Sequence, residues 1–216
     1  MSDASIPAFV LDRPVGARRL VLPLGVPVLA LLFLGVAFWN GFPLMFYDTG
    51  AYLAEGLSGA FLVERSPVYS LFLLFAGSSF SLWPVVILQA VMTAYMIALL
   101  AVIEVPKLTL AGLVAIGGAL MGLTGIGWYV GQVEPDCMTP LLLIGSHLLL
   151  FRSARLSAWE YGLVIAITAL AVASHPSHLG LIAGLILVGT ALRMSRHLLP
   201  DLPRPRPRGS RRRAST

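Results

Sequence analysis

At 216 residues, 57% of them hydrophobic and 12% charged, the chain carries more apolar surface than a soluble domain of its size can hide. A globule of this length needs polar side chains over most of its surface, so lipid is the expected solvent for most of the chain. The net charge of +5 arises from Lys and Arg that flank apolar runs; no nucleic-acid-binding module accompanies them, which argues against a nucleic-acid partner.

A crossing helix needs roughly 20 mostly apolar residues, at about 1.5 Å rise each through a hydrocarbon core about 30 Å thick. Residues 1–19 form a cytoplasmic segment holding Arg13, Arg18 and Arg19. Six apolar runs follow, at about 20–39, 83–103, 109–127, 137–151, 159–175 and 179–193, the fourth and sixth near the lower length limit. The fold class this predicts is all-α: a polytopic membrane helix bundle over 20–199, with about six transmembrane helices. The first run is longer than the apolar region of a secretory signal and lacks a small-x-small site near Trp39-Asn40, so it reads as a permanent helix. Residues 67–77 are apolar but only half long enough to cross, and are expected to form a short re-entrant or juxtamembrane helix. The last stretch, 200–216, is rich in Pro and Arg and is expected to be disordered, touching anionic lipid.

Loop charge sets the orientation. Lys107, Arg152, Arg155, Arg193 and the terminal arginines all fall on the side of the N-terminus when the number of crossings is even. The positive-inside rule then makes both termini cytoplasmic and leaves Arg65 as the one outward cation among 15 Lys and Arg. Trp39, Trp83, Trp128 and Trp159 all sit at span ends, where amphipathic rings favour the interface. Gly118-x-x-x-Gly122 and Gly180-x-x-x-Gly184 have the spacing that lets helices approach closely in lipid, and packing is their expected use.

Three outer loops collect the polar residues. The first, 40–82, holds Asp48, Glu55, Glu64 and Arg65; the second, 127–136, holds Glu134 and Asp136; the third is the turn Ser174-His-Pro-Ser-His178. Carboxylates at a membrane face are costly unless paired, hydrated or functional, so their convergence is the main functional signal. Asp48 precedes a helix-like run and suits an N-cap; Asp136, just after Pro135, suits a first helical turn. The functional alternatives are a general base at one carboxylate or a divalent metal ion held by Asp48 and Asp136 with phosphate oxygens. Arg65 is the natural fork for a phosphate. His175 and His178, three apart, could share a helix face, where hydrogen bonding is the more frequent use and zinc ligation the rarer. His147, in the fourth run, is expected to be a satisfied interhelical group.

A first span, an outer loop opening on Tyr47-Asp48, a Pro67-x-Tyr69 helix that does not cross, and a Pro135-Asp136 opening a later span together resemble the GT-C superfamily of membrane glycosyltransferases. The protein mannosyltransferases and the lipid A aminoarabinose transferases are its familiar members. The resemblance covers roughly 20–180, in helix order and loop placement more than in letters. It also extends to uncharacterised proteobacterial membrane proteins with Gly-Phe-Pro…Tyr-Asp-Thr-Gly and Ser-His-x-Ser-His patterns. It implies an inner-membrane enzyme, or a truncated module of one, transferring a sugar from a polyprenyl-phosphate donor at the outer face. Asp48 would be catalytic, or would hold a metal with Asp136. Arg65, Asp136, Tyr69, His175 and His178 would line the substrate pocket. The sequence departs from the family in following Asp48 with Thr49 and in having Arg65-Ser-Pro-Val-Tyr69 where a Lys-Pro-Pro-Leu-Tyr run is usual. It also has fewer helices. The alternative is a non-catalytic polyprenyl-lipid binding or transport protein, or a scaffold subunit packed against a membrane protein partner.

Overall fold

The computed structural model describes residues 15–198; most of the N-terminal segment 1–19, expected to be cytoplasmic, and all of the tail 200–216, expected to be disordered, lie outside them. Within that range the chain is all-helical: α1 (Val15–Phe33), α2 (Gly35–Asn40), α3 (Thr49–Ser58), α4 (Pro67–Phe75), α5 (Trp83–Glu104), α6 (Leu110–Leu123), α7 (Ile126–Gly131), α8 (Met138–Phe151), α9 (Ala158–Ser174) and α10 (Ser177–Leu198). Short 3₁₀ turns at Pro135–Cys137 and Ser153–Arg155 lead into and out of α8. The described residues form no strand, and one isolated parallel bridge joins Leu44 to Gln132.

The apolar runs read from sequence coil as helices, the first interrupted at Leu34 and the third ending at Leu123, and each pairs most of its backbone N–H groups within its own segment. α1 and α2 form one nearly continuous path. The Leu34 N–H reaches Ala30 O at 3.0 Å, and the Phe38 N–H reaches Leu34 O at 2.9 Å. Gly41, at φ 77°, then ends the path in the left-handed conformation that glycine adopts without strain. Pro67 starts α4 at its first turn, and Ser66 caps that helix by accepting from the Val68 N–H. α4 stops after nine residues, as its length in the sequence requires.

α5 is the central helix. It packs on α1, α7 and α8, while α9 lies along α8, α10 covers α8 and α9, and α6 lies against α1. Among the described residues α5 is the one helix long and apolar enough to cross a membrane; five other apolar helices or segments are shorter. The outer surface is markedly apolar. Leu20, Leu24, Val28 and Leu31 form an exposed stripe on α1, and Leu179, Ile186, Leu187 and Val188 are exposed on α10.

Close helix contact relies on glycines other than the two spaced pairs. A Cβ at Gly145 would meet Thr168 of α9, and one at Gly117 would meet Leu29 of α1 at 3.1 Å. Gly118, Gly122, Gly180 and Gly184 face open space, so the packing expected of them is not made within this fold.

At the C-terminal end of α5 the chain builds a charged clamp. Arg152 grips Glu104 through Nε to Oε1 at 2.6 Å and Nη2 to Oε2 at 3.1 Å, and His147 joins at 3.1 Å. Arg155 donates to Ile103 O at 3.0 Å, neutralising the carbonyl end of the helix. His147 is thus interhelically bonded as expected, although it stands one turn from the end of α8 and is partly exposed.

Candidate functional site

Loops one and two meet at the opposite end of α5. Leu44 donates its N–H to Gly131 O at 2.8 Å and accepts from the Val133 N–H at 2.9 Å, so the segment before Asp48 lies alongside the segment before Asp136. A buried amide fixes the second segment from below. Gln89, fully buried on α5, donates through Nε2 to Gln132 O at 2.8 Å and Val130 O at 3.2 Å. Its Oε1 accepts from the Tyr69 hydroxyl at 2.8 Å. Tyr69 is itself fully buried and packs edge-on against Tyr52. From this buried position it ties α4 to α3 and α5.

On this frame sits the charged cluster. Asp48 occupies the N-cap position of α3 without capping it: its side chain accepts no bond from the helix. Instead Asp48 Oδ1 lies 2.5 Å from Arg65 Nη2, and both side chains remain partly exposed. The carboxylate holds the guanidinium charged still more firmly than usual, through their hydrogen bond. Arg65 Nη1 is 3.9 Å from Glu55 Oε1, and the guanidinium lies 5.7 Å from the Tyr52 ring centre. Glu55 is 4% exposed; Ser70 donates to its Oε2 at 3.0 Å, while Oε1 has no hydrogen-bond partner. Burial pushes the Tyr52 hydroxyl up to about 12, helped by Glu134 and Asp48 and opposed by Arg65.

Thr49 ties the two loops together. Its Oγ1 accepts from the Phe46 N–H at 2.8 Å and lies 2.9 Å from Val133 O and 3.3 Å from Glu134 Oε1. Burial raises the Glu134 carboxyl to about 7; Asp48 and Asp136 add to the rise, while Thr49 and Arg65 work against it. Sequence reading noted Glu134 but selected its neighbour Asp136.

Asp136 stands in the first turn as expected. It lines a separate cleft of about 420 Å³ with Phe46, Gly125, Trp128, Tyr129 and Gln132, and it is felt electrostatically by Glu134. His178 is buried, with one ring nitrogen 2.8 Å from Thr139 Oγ1 and the other 2.6 Å from Ala171 O, so neither nitrogen is left for a metal. His175 bonds Ser177 at 2.7 Å. The third loop still reaches the site indirectly, because the Ser66 hydroxyl, next to Arg65, donates to Ala173 O near the end of α9. Asp48 and Arg65 are therefore brought together, Asp136 faces its own cleft and bears on Glu134, and His175 and His178 are both engaged in hydrogen bonds.

Among the described residues no three His, Cys, Asp or Glu side chains converge on a point, and Asp48 is already taken up by Arg65. Of the residues that sequence reasoning passed over, Gln89 had one available signal, a lone amide inside an otherwise apolar span. Glu55 and Tyr52 had none beyond helical spacing from Asp48. No protein family, curated protein or solved structure matches the chain.

Proposed function

We propose that the protein is a six-span protein of the bacterial inner membrane with cytoplasmic termini. Its outer-face site would transfer a sugar from a polyprenyl-phosphate donor, as GT-C glycosyltransferases do, either alone or as a module of a larger enzyme. Three features support the membrane reading. α5 has the length and composition to cross; the path from 15 to 40 is about 39 Å long at 1.5 Å per residue; and α1 and α10 present apolar stripes outward. Arg152 and Arg155 gather at one end of α5 and the Asp48 cluster at the other, which suits the sidedness that loop charge predicts. Sidedness is testable in a Cys137→Ser background. A membrane-impermeant thiol reagent added to intact cells should label the Glu64→Cys protein and spare the Lys107→Cys protein; the reverse pattern ends the proposal.

The observation that carries the transferase reading is the 2.5 Å contact between Asp48 and Arg65. A donor phosphate competes with Asp48 for the guanidinium fork, and its arrival frees the carboxylate. The acceptor hydroxyl then gives its proton to Asp48 while its oxygen attacks the anomeric carbon. The bond from that carbon to the phosphate oxygen breaks, the electron pair stays on the phosphate, and Arg65 stabilises the growing charge. Labelled polyprenyl phosphate should bind the purified protein in nanodiscs. Arg65→Ala should weaken that binding by about 10–100-fold, as expected for losing one charge-assisted hydrogen bond; unchanged binding would remove Arg65 from donor capture.

A second reading, a scaffold subunit for a larger membrane protein, draws on the open glycine faces of α6 and α10. Under that reading Arg65→Ala leaves co-purification with the partner intact.

A further inference from the structure

Asp136 is the acid that the Asp48–Arg65 pair leaves aside. Its side chain is exposed, and among the described residues it forms neither an ion pair nor a hydrogen bond. The groups on which it acts electrostatically are Glu134, Tyr69 and Cys137, none of which can carry positive charge. Arg65, the cation that the sequence places on this face, is held by Asp48 at 2.5 Å with Glu55 on its other side. Loop two therefore presents a negative charge that the described residues do not balance.

That charge stands in a cleft. About 420 Å³ of space lies between Asp136, Gln132, Gly125 and the rings of Phe46, Trp128 and Tyr129. All three rings keep more than half of their surface exposed, so the core does not use them up. Gly125 gives Tyr129 its room, because a Cβ there would crowd the ring at 3.2 Å. A carboxylate walled by aromatic rings selects among cations. A hard divalent ion wants several oxygen ligands, and rings cannot replace its water shell. An organic ammonium asks less: one carboxylate for its charge, and ring faces within about 6 Å. The rim shows what carries such a group. Leu123, two residues before Gly125, is 85% exposed, and Met45 and Tyr47 on either side of Phe46 are exposed as well. An apolar rim around a charged cleft fits an amphiphile, with acyl chains on the rim and the head group inside. The Trp128 indole N–H and the Tyr129 hydroxyl bond no other described residue and are free to donate to an ester phosphate.

We propose that this cleft binds the ammonium head group of an ethanolamine phospholipid, with Asp136 as its counter-charge and Phe46, Trp128 and Tyr129 as its walls. The inference rests on the membrane reading above and is indifferent to whether a sugar is transferred. It gives loop two a binding site of opposite sign to the Asp48–Arg65 pair. Arg65 offers a cation to an anionic group, whereas Asp136 offers an anion to a cationic one.

The test compares two lipids with identical chains, phosphatidylethanolamine and phosphatidylglycerol, of which only the first carries an ammonium. Full-length protein in micelles is titrated with each, and bound lipid is counted by native mass spectrometry. Asp136→Asn should weaken phosphatidylethanolamine binding about tenfold, as losing a charge-assisted bond does, and leave phosphatidylglycerol binding no weaker than before. Unchanged phosphatidylethanolamine binding, or an equal loss for both lipids, overturns the proposal. Trp128→Leu is the second variant, at an exposed ring whose loss leaves the core intact. It should weaken phosphatidylethanolamine alone by about two- to fivefold, and no change there removes the aromatic wall from the site. Glycerophosphoethanolamine, the same head group without chains, separates a lipid site from a site for soluble amines. It should compete at least about tenfold less well than the lipid, since each buried CH₂ adds about 0.8 kcal/mol; equal competition overturns the lipid assignment. Thiol labelling of Glu64→Cys and Lys107→Cys decides the membrane reading separately. A protein that passes it and fails here loses this site alone, and one that fails it loses both.

Discussion

Asp48→Asn is expected to lower sugar transfer by at least about 100-fold, the lower end of what a positioned general base contributes. The substitution keeps the shape of the side chain and deletes its charge. Arg65 remains beside Glu55, whose Oε1 lies 3.9 Å away and has no hydrogen-bond partner to give up. The guanidinium is thus not stranded, and the variant should insert and fold. Donor binding should rise or hold steady, because the competitor for the Arg65 fork is weakened. Loss of kcat with donor affinity intact is the pattern that separates a base from a structural residue. Transfer at the wild-type rate would take Asp48 out of the chemistry altogether.

The second large effect is expected at Gly56. α3 and α4 cross there so tightly that a Cβ on Gly56 would stand 2.7 Å from Ser70 O, a backbone atom with no rotamer to change. Gly56→Ala must therefore push the two short helices apart. Overpacking of this kind costs about 1–3 kcal/mol, and the displacement falls on the elements that present Asp48 and Arg65. The Ser70–Glu55 bond and the edge-on Tyr52–Tyr69 pair lie at the same crossing and should weaken with it. Thermal unfolding in lipid, followed alongside donor binding, would show both losses together. A Gly56→Ala protein with unchanged stability would mean the crossing is looser than its geometry implies.

Helix positions were legible in the sequence because apolar length and punctuation dictate them. Pro67, Pro84 and Gly41 mark boundaries that the backbone obeys. Threading put Asp48 and Arg65 in one loop, but nothing in the sequence paired them with each other directly. Asp48 also looked like a cap, and here the two roles excluded each other: a carboxylate turned toward a guanidinium cannot reach back to its own helix. The depth of Tyr69 was not legible. Its place in the resembling pattern suggested a ligand, whereas its depth is set by α5, 20 residues further along. The choice of Asp136 over Glu134 rested on the Pro135-Asp136 pair of the resembling pattern, which says nothing about which of two nearby acids is buried. The glycine pairs had the right spacing for packing, yet spacing does not say which face of a helix will be covered.

The links that complete this site span long stretches of chain, which bears on when it can exist during synthesis. Thr49 waits for Val133, 84 residues later, and Ser66 for Ala173, 107 residues later. At about 5–20 residues per second, the hairpin of α3 and α4 spends roughly 5–20 s made but not yet anchored. Throughout that interval Tyr69 and Glu55 lack part of their final cover. The nascent hairpin is therefore the stage at which an insertion chaperone or a quality-control protease has most to recognise.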